Sequence, residues 1–160
     1  MKTVHTKLGL ALTAAIALGS MSACQPEEAQ GLSTEDQEAL LFMYEEEKLA
    51  RDVYTTLGDL WNTNQHNNIK DSEQKHMEAI GDLMTQYEVA YTTLDVGEYN
   101  DAALKTLYDD LVAQGSNSLL DAFIVGATVE DLDIVDLQEY MEATEEADII
   151  AVYESLQCGS

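Results

Sequence analysis

The chain contains a single proline, Pro26, among its 160 residues. Proline lacks a backbone donor and breaks helices, so its absence after residue 26 leaves long stretches free to be helical. The same region shows no clear alternation of Val, Ile and Thr of the kind that is typical of strands. The sequence therefore predicts an all-α domain.

Apolar residues recur at helical spacing in five segments after the proline. Thr34 and Gln37 are placed as a capping box at the start of the first segment, and Gly115 is placed to end the third. Gly126 is a candidate interruption of the fourth. Short connections between four principal helices and one shorter insert favour an antiparallel bundle. The predicted helices span about 35–61, 67–87, 100–114, 118–141 and 145–156.

The second helix has an apolar stripe that includes two polar residues, Glu73 and His76. The stripe runs through Ile69, Glu73, His76, Ile80, Leu83 and Tyr87. A buried carboxylate is costly unless it is paired or bound to a metal, and helical bundles build two-iron sites from inward Glu and Glu-x-x-His motifs. The pair therefore predicts a metal site. The alternatives are a first-turn acid favoured by the helix dipole and a hydrogen-bonded core histidine.

The first helix offers three consecutive acids, Glu45, Glu46 and Glu47. Helical periodicity centres its apolar stripe near Glu46 and places Glu47 towards one edge. Three acids in a row are more often a solvated face, so the spacing leaves open which of them points inward. Enzyme classes that depend on a Cys-x-x-Cys pair, a glycine-rich phosphate loop or a nucleophile elbow have no support in this sequence.

The fourth helix offers Glu130 and Asp133, which are also three residues apart. Residues at this spacing project from adjacent turns of one helix, so both side chains can reach one site. The alternative is that Thr128 and Asp131 form a capping box and leave Glu130 in a solvated first turn.

The N-terminus has the features of an export signal: basic residues, an apolar run and small residues leading to Cys24. Met21-Ser22-Ala23-Cys24 resembles the bacterial lipoprotein signal, in which the cysteine is lipidated; an ordinary cleaved signal is the alternative. With the lipid on Cys24, Cys158 has no partner, so stability depends on packing or metal. We expect lipid anchoring to the bacterial envelope, on the periplasmic side or the cell surface. The expected organisation is a signal peptide at 1–23, a tether at 24–32 and a helical domain at 33–160.

Acidic residues dominate the charge of the chain. Its 31 Asp and Glu against seven Lys and Arg give a formal charge of −24. Such a chain repels nucleic acid and anionic membrane surfaces, so no nucleic-acid partner is expected. The surface would concentrate cations without specificity, and adaptation to a salty habitat accounts for most of these charges.

Three motifs resemble the metal-site helices of rubrerythrins. Residues 45–54, Glu-Glu-Glu-Lys-Leu-Ala-Arg-Asp-Val-Tyr, are similar to the first such helix. Residues 73–76, Glu-Gln-Lys-His, resemble the second, and residues 130–133, Glu-Asp-Leu-Asp, resemble the Glu-x-x-Glu of the third. The stretch 40–160 resembles more closely an uncharacterised ferritin-like family of bacterial and archaeal proteins that are often exported.

The resemblance implies a ferritin-like antiparallel four-helix bundle with a short extra helix and a di-iron carboxylate site. It favours Glu47 over Glu46 as a ligand and implies that Tyr54 orients carboxylates by hydrogen bonding. Rubrerythrins have a further Glu-x-x-His in the last helix, and the exported family has a His just beyond a Gly-Ser pair. The sequence given stops at its own Gly159-Ser160 pair, so this last ligand is absent from it. A truncated chain and incomplete occupancy by the two iron ions are therefore expected. The implied metal ligands are Glu47, Glu73, His76, Glu130 and Asp133.

The favoured hypothesis is an envelope-anchored protein that handles iron with oxygen or peroxide, a di-iron oxidoreductase if it is an enzyme. Its expected partners are the membrane through the lipid, an external electron donor and a second copy in a homodimer. The donor is needed because no cysteine-ligated iron module is present. The alternatives are a metal-free helical lipoprotein acting as a binding or spacer module and, more weakly, cation buffering by the acidic surface.

Overall fold

The computed structural model describes residues 31–159, and all regular secondary structure in that range is helical. The predicted signal peptide, Cys24 and the tether up to residue 30 lie outside the described residues, as does Ser160. Within the described range, no helix is both long enough and apolar enough to cross a bilayer. The helices are α1 (Thr34–Trp61), α2 (Asn64–Gln86), α3 (Ala102–Gly115), α4 (Leu119–Ala143) and α5 (Ala147–Gln157).

Side-chain caps set the starts of α1 and α2, and both differ from the prediction. Ser33, not Thr34, caps α1, because its hydroxyl accepts a hydrogen bond from the Asp36 backbone N–H at 2.9 Å. Thr63 caps α2 in the same way, so this helix begins at Asn64, three to four residues earlier than predicted. Only two residues then separate α1 from α2.

Gly126 does not interrupt α4, which runs unbroken from Leu119 to Ala143. The glycine is buried, and a Cβ added there would lie 3.0 Å from the Tyr54 hydroxyl. The missing side chain therefore allows α1 and α4 to approach closely at this point, which explains why glycine is found in a helix interior.

Helices α1, α2, α5 and α4 contact one another in a closed circuit, and every neighbouring pair runs antiparallel. The direction follows from the pairing of residues: as numbers rise along one helix, those of its contacts fall along the next. The pairs are Tyr44 with Gly81 and Gly58 with His66 for α1–α2, Phe42 with Tyr140 and Tyr54 with Glu130 for α1–α4, His76 with Gly159 and Tyr87 with Asp148 for the α2–α5 side, and Ile134 with Gln157 and Tyr140 with Tyr153 for α4–α5.

Helix α3 lies outside this circuit and packs on α1 and α4. The Trp61 indole N–H donates to the carbonyl of Gly115 at 2.9 Å, and the hydroxyls of Thr56 and Tyr108 are hydrogen-bonded at 2.8 Å. Residues 88–101, called the connecting segment below, link α2 to α3 without regular structure other than turns. Helix α3, with 14 residues, is therefore the helix outside the circuit of four, although α5 is shorter at 11 residues.

The apolar core is divided into two clusters. The first cluster includes Leu40, Met43, Ile80, Leu137 and Tyr153, and the second includes Leu49, Val53, Leu57, Val125 and Leu111. Along α1 the two clusters are separated by residues 45–48, which are all buried although all are charged types. Burying charged groups requires partners. The layer of the bundle around these four residues, called the polar layer below, is therefore where a functional site is expected.

Candidate metal centre

Three side chains in the polar layer form a compact group of potential metal ligands. Glu47, Glu73 and His76 each offer one donor atom, and these atoms lie within 4.8 Å of one another. The His76 Nδ1 lies 3.2 Å from an oxygen of each carboxylate. All three residues are buried, with Glu47 fully inaccessible.

The α1–α2 hairpin brings these donors together. Glu73 and His76 lie one turn apart on α2, and Glu47 faces them because the two helices run antiparallel. The other imidazole nitrogen of His76, Nε2, faces the backbone at Gly159, since a Cβ added at this glycine would lie 3.0 Å from it. Nδ1 is therefore the nitrogen that faces the carboxylates.

Helix α4 adds its two acids on the opposite side. The Tyr54 hydroxyl donates a 2.5 Å hydrogen bond to Glu130 Oε1, which fixes the orientation of that carboxyl. Asp133 is buried, and its charge raises the pKa values of Glu47 and Glu130, so it lies within electrostatic reach of both. The structure thus places all five residues predicted as ligands around one region.

The capping alternative for Glu130 is wrong. Thr128 lies inside α4, and its hydroxyl donates to the carbonyl of Ile124 at 2.9 Å rather than capping a helix start. Because α4 begins at Leu119, directly after its cap Ser118, Glu130 belongs to the middle of the helix and not to a solvated first turn.

Glu46 and Glu47 are both buried but have different surroundings. Burial, followed by a hydrogen bond and charge from Asp136, raises the pKa of Glu46 to about 10. Glu46 is therefore a neutral acid paired with another carboxyl group at neutral pH. Both carboxyl groups have a buried oxygen without a hydrogen-bond partner among residues 31–159, Oε2 of Glu46 and Oε1 of Glu47, but Glu47 is the one that faces His76.

The cluster holds protons that a metal would displace. Burial raises the pKa of Glu47, and the hydrogen bond from His76 opposes that shift. Burial alone would lower the pKa of His76, but hydrogen bonds to Glu47 and Glu73 raise it to about 10. Burial also raises the pKa of Glu130 to about 7. Without metal, an imidazolium therefore compensates the carboxylates at neutral pH.

These shifts predict that the metal-free protein loses stability as the pH rises. In the folded state Glu130 and Glu46 keep a proton that they lose in the unfolded chain above a pKa of 4.5. Their contribution to the stability therefore falls as the pH rises from 4.5, up to about pH 7 for Glu130 and about pH 10 for Glu46. His76 contributes fully below its unfolded pKa of 6.5 and loses that contribution as the pH rises towards about 10. All three act in the same direction.

We therefore expect the melting temperature of the metal-free protein to be several degrees higher at about pH 5 than at about pH 8. The measurement is thermal unfolding followed by circular dichroism, in high salt to screen the acidic surface. A melting temperature that stays constant or rises over this interval would contradict the proposed burial of these groups.

The donor set is chemically suited to a transition-metal ion. Carboxylate oxygens with a single imidazole are the ligands found for iron and manganese, and an unpaired buried carboxylate oxygen is poised to accept a cation. Within the described residues, α5 adds no member to this ligand group, but the buried hydroxyl of its Tyr153 lies within electrostatic reach of Glu47. The residues present thus fit a metal, with most donors coming from α1, α2 and α4.

Two residues next to the candidate ligands were missed in the sequence. His66 is buried on α2, and Asp136 on α4 lies against Glu46. His66 lies three residues before Ile69 in the stripe that contains Glu73 and His76, so extending the stripe by one step would have found it. It was missed because α2 was predicted to start after it.

The other side of the α1 motif anchors the connecting segment. Lys48 Nζ donates to Asp52 Oδ2 at 2.6 Å and to the carbonyls of Asp95 and Glu98 at 2.9 and 3.0 Å. Asp52 also accepts from the Gly97 backbone N–H at 3.0 Å. Lys48 is 1% exposed and Asp52 0%. The motif therefore has two faces, one towards the candidate ligands and one that holds a loop.

Comparisons of the sequence and of the structure with known proteins find similarity over the same share of this chain. Residues 36–160 match the model of a family described as an uncharacterized protein domain, DUF2202. Uncharacterized protein MJ0754 of Methanocaldococcus jannaschii is 44% identical over 133 residues, covering 82% of this chain and 72% of that protein. The crystal structure of hypothetical protein MJ0754 from Methanococcus jannaschii superposes with a TM-score of 0.79 at 42% identity, covering 82% of this chain and 77% of that one.

Proposed function

The chain belongs to the DUF2202 family, and on that premise we propose that it is a ferritin-like metal protein with a di-iron carboxylate site. The observation that most strongly supports this proposal is the buried group of Glu47, Glu73 and His76, whose donor atoms lie within 4.8 Å of one another. Four antiparallel helices with inward Glu and Glu-x-x-His side chains are the arrangement on which such sites are built. Iron is therefore the metal proposed.

The chain's own residues would prepare the site in three ways. Glu47, Glu73 and His76 would hold one side of it, and binding at His76 Nδ1 requires the proton shared with the two carboxylates to leave. Tyr54 holds Glu130 in place by its hydrogen bond. The two apolar clusters on either side exclude bulk water from the polar layer. The chemistry that iron supplies when bound is electron transfer to oxygen or peroxide.

We also propose that the protein is exported and held at the cell envelope by a lipid on Cys24. The support is the basic, apolar and small-residue pattern of residues 1–24. In that location an external electron donor would have to reach the helical domain. The donor would therefore be a partner in the same compartment.

One observation favours the second candidate function, a metal-free helical module. The carboxylates of Glu47 and Glu73 are already compensated by the His76 imidazolium, so the polar layer is electrostatically satisfied without an ion. In this alternative the protein keeps the ferritin-like fold but binds no metal.

Metal analysis distinguishes the two candidates. We expect a form beginning after Cys24, produced with iron and purified gently, to contain between about one and two iron ions per chain. Adding ferrous iron to the metal-free protein without oxygen should raise its melting temperature, because the ion binds only the folded state. Protein that purifies without metal and melts at the same temperature with and without iron would support the metal-free module instead.

A further inference from the structure

A cavity of about 170 Å³ lies beside the candidate metal centre, between α1, α2 and α4. Its apolar wall includes Ile69, Phe123 and Ala127. Its polar wall is formed by the buried or half-buried side chains of His66, Tyr54 and Glu130, together with the exposed Gln65. Because Glu130 is also a candidate ligand, the cavity adjoins the metal centre directly.

His66 is the most unusual group in the cavity wall. Its side chain is buried between the rings of Tyr54 and Phe123, with centroids 5.8 and 5.2 Å away. Burial lowers the pKa of His66, although the Ala122 backbone opposes this, so the imidazole is neutral at neutral pH. One nitrogen of a neutral imidazole accepts hydrogen bonds and the other donates.

Thr63 engages only one of the two ring nitrogens of His66. Its hydroxyl is hydrogen-bonded to Nδ1 and also accepts from the His66 backbone N–H at 3.4 Å. Because a hydroxyl oxygen can accept two hydrogen bonds, this contact is compatible with either tautomer of the ring. The Ala122 backbone raises the pKa of His66, but the buried Nε2 has no partner with hydrogen-bonding geometry among residues 31–159. A buried polar nitrogen without a partner destabilises the protein unless a ligand supplies one.

Two groups of the polar wall can pair with the head of that ligand. His66 Nε2 requires a hydrogen-bond partner, and Glu130 retains capacity for one because Tyr54 uses only one of its oxygens. A head group that both accepts and donates can pair with the two. A neutral head is required, because the acids of the polar layer repel anions.

The apolar wall and the volume define the tail. An engineered apolar cavity of about 150 Å³ accommodates benzene, a molecule of about six heavy atoms. The cavity therefore has room for a two-oxygen head with a tail of about four carbons. Hydrogen peroxide alone would leave the wall of Ile69, Phe123 and Ala127 without contacts.

We propose that this cavity is a subsite for short alkyl hydroperoxides, with the O–O–H head between His66 and Glu130 and the alkyl tail against Ile69, Phe123 and Ala127. The proposal rests on the proposed function, since it names the class of peroxide that would approach the metal centre. Binding at the subsite itself requires no metal.

The test measures binding to the metal-free protein, so that its failure is distinct from failure to bind iron. We expect tert-butyl hydroperoxide to cause saturable shifts of the His66 ring and Ala127 methyl signals in NMR spectra. tert-Butyl alcohol, which lacks one oxygen, should bind about fivefold more weakly. Hydrogen peroxide, which lacks the tail, should bind at least about tenfold more weakly.

A matched pair of substitutions tests the location. Ala127→Leu fills the cavity from an exposed helix position and should weaken hydroperoxide binding by at least about tenfold. Ala151→Leu, an exposed position on α5 away from the cavity, should leave binding unchanged. Absence of saturable shifts, equal binding to the Ala127→Leu protein, or equal affinity for tert-butyl alcohol would each overturn the proposal.

Discussion

Changing Glu47 to Gln should remove most of the iron-dependent stabilisation of the protein, whereas the same change at Glu46 should preserve it. Glu47 faces His76 and offers a donor atom within 4.8 Å of those of Glu73 and His76, so its carboxylate is available to a metal. Glu46 is engaged with Asp136 and is protonated at neutral pH, so a neutral amide of the same shape replaces it with little change.

The expected size of the difference follows from ligand removal. Loss of groups that only support metal ligands weakens metal binding by about 10–100-fold, so loss of a ligand should cost about 100-fold or more. At a fixed excess of iron this corresponds to about 2.7 kcal/mol of stabilisation. The measurement is the melting temperature of each variant with and without ferrous iron.

The pair of variants also decides between the two acids. If the Glu46→Gln protein loses the iron response and the Glu47→Gln protein keeps it, the ligand is Glu46, as the periodicity of α1 indicated. If both keep it, neither carboxylate holds the metal.

Changing Lys48 to Met should lower the free energy of unfolding by about 2 kcal/mol. The substitution keeps most of the apolar stem but removes one of the two cations that pair with the fully buried Asp52, which are Lys48 and Arg51, each at 2.6 Å. It also leaves the carbonyls of Asp95 and Glu98 without their donor. Arg51 still compensates the charge of Asp52 in the variant, so the cost comes from buried oxygens that lose a hydrogen-bond donor.

An exposed lysine provides the matched control. Lys105 pairs with Asp109 at the same 2.6 Å and the same spacing of four residues, but both side chains are solvated. Lys105→Met should therefore change the stability little. Urea unfolding of the three proteins measures the effect. Equal unfolding midpoints for the Lys48→Met and Lys105→Met proteins would show that the connecting segment is held by other contacts.

The helices could be predicted from the sequence because their signals are local. The absence of proline after residue 26, the apolar stripes and the capping residues were enough to place five helices to within a few residues. The errors have local physical causes as well. Ser33 and Thr63 compete with neighbouring polar residues as caps, and the apolar Leu60, near the end of α1, is 53% exposed.

The candidate site could be predicted only in part because its chemistry depends on contacts between helices. Glu73 and His76 were recognisable as polar members of an apolar stripe. The phase of α1 is uncertain by about the rotation of one residue, so the stripe alone could not separate Glu46 from Glu47. The role of Lys48 depends on carbonyls almost 50 residues away, and no spacing in the sequence indicates it.

The α1–α2 hairpin has a consequence for the order in which the protein assembles. Glu47, Glu73 and His76 lie within 30 residues of one another along the chain, on two helices joined by a two-residue turn. Contacts of such short sequence separation form early in folding, because little loop-closure entropy opposes them. Glu130 and Asp133 arrive only when α4 docks. Three of the five proposed ligands can thus be in place while the chain is still folding, and docking of α4 would then add the remaining two.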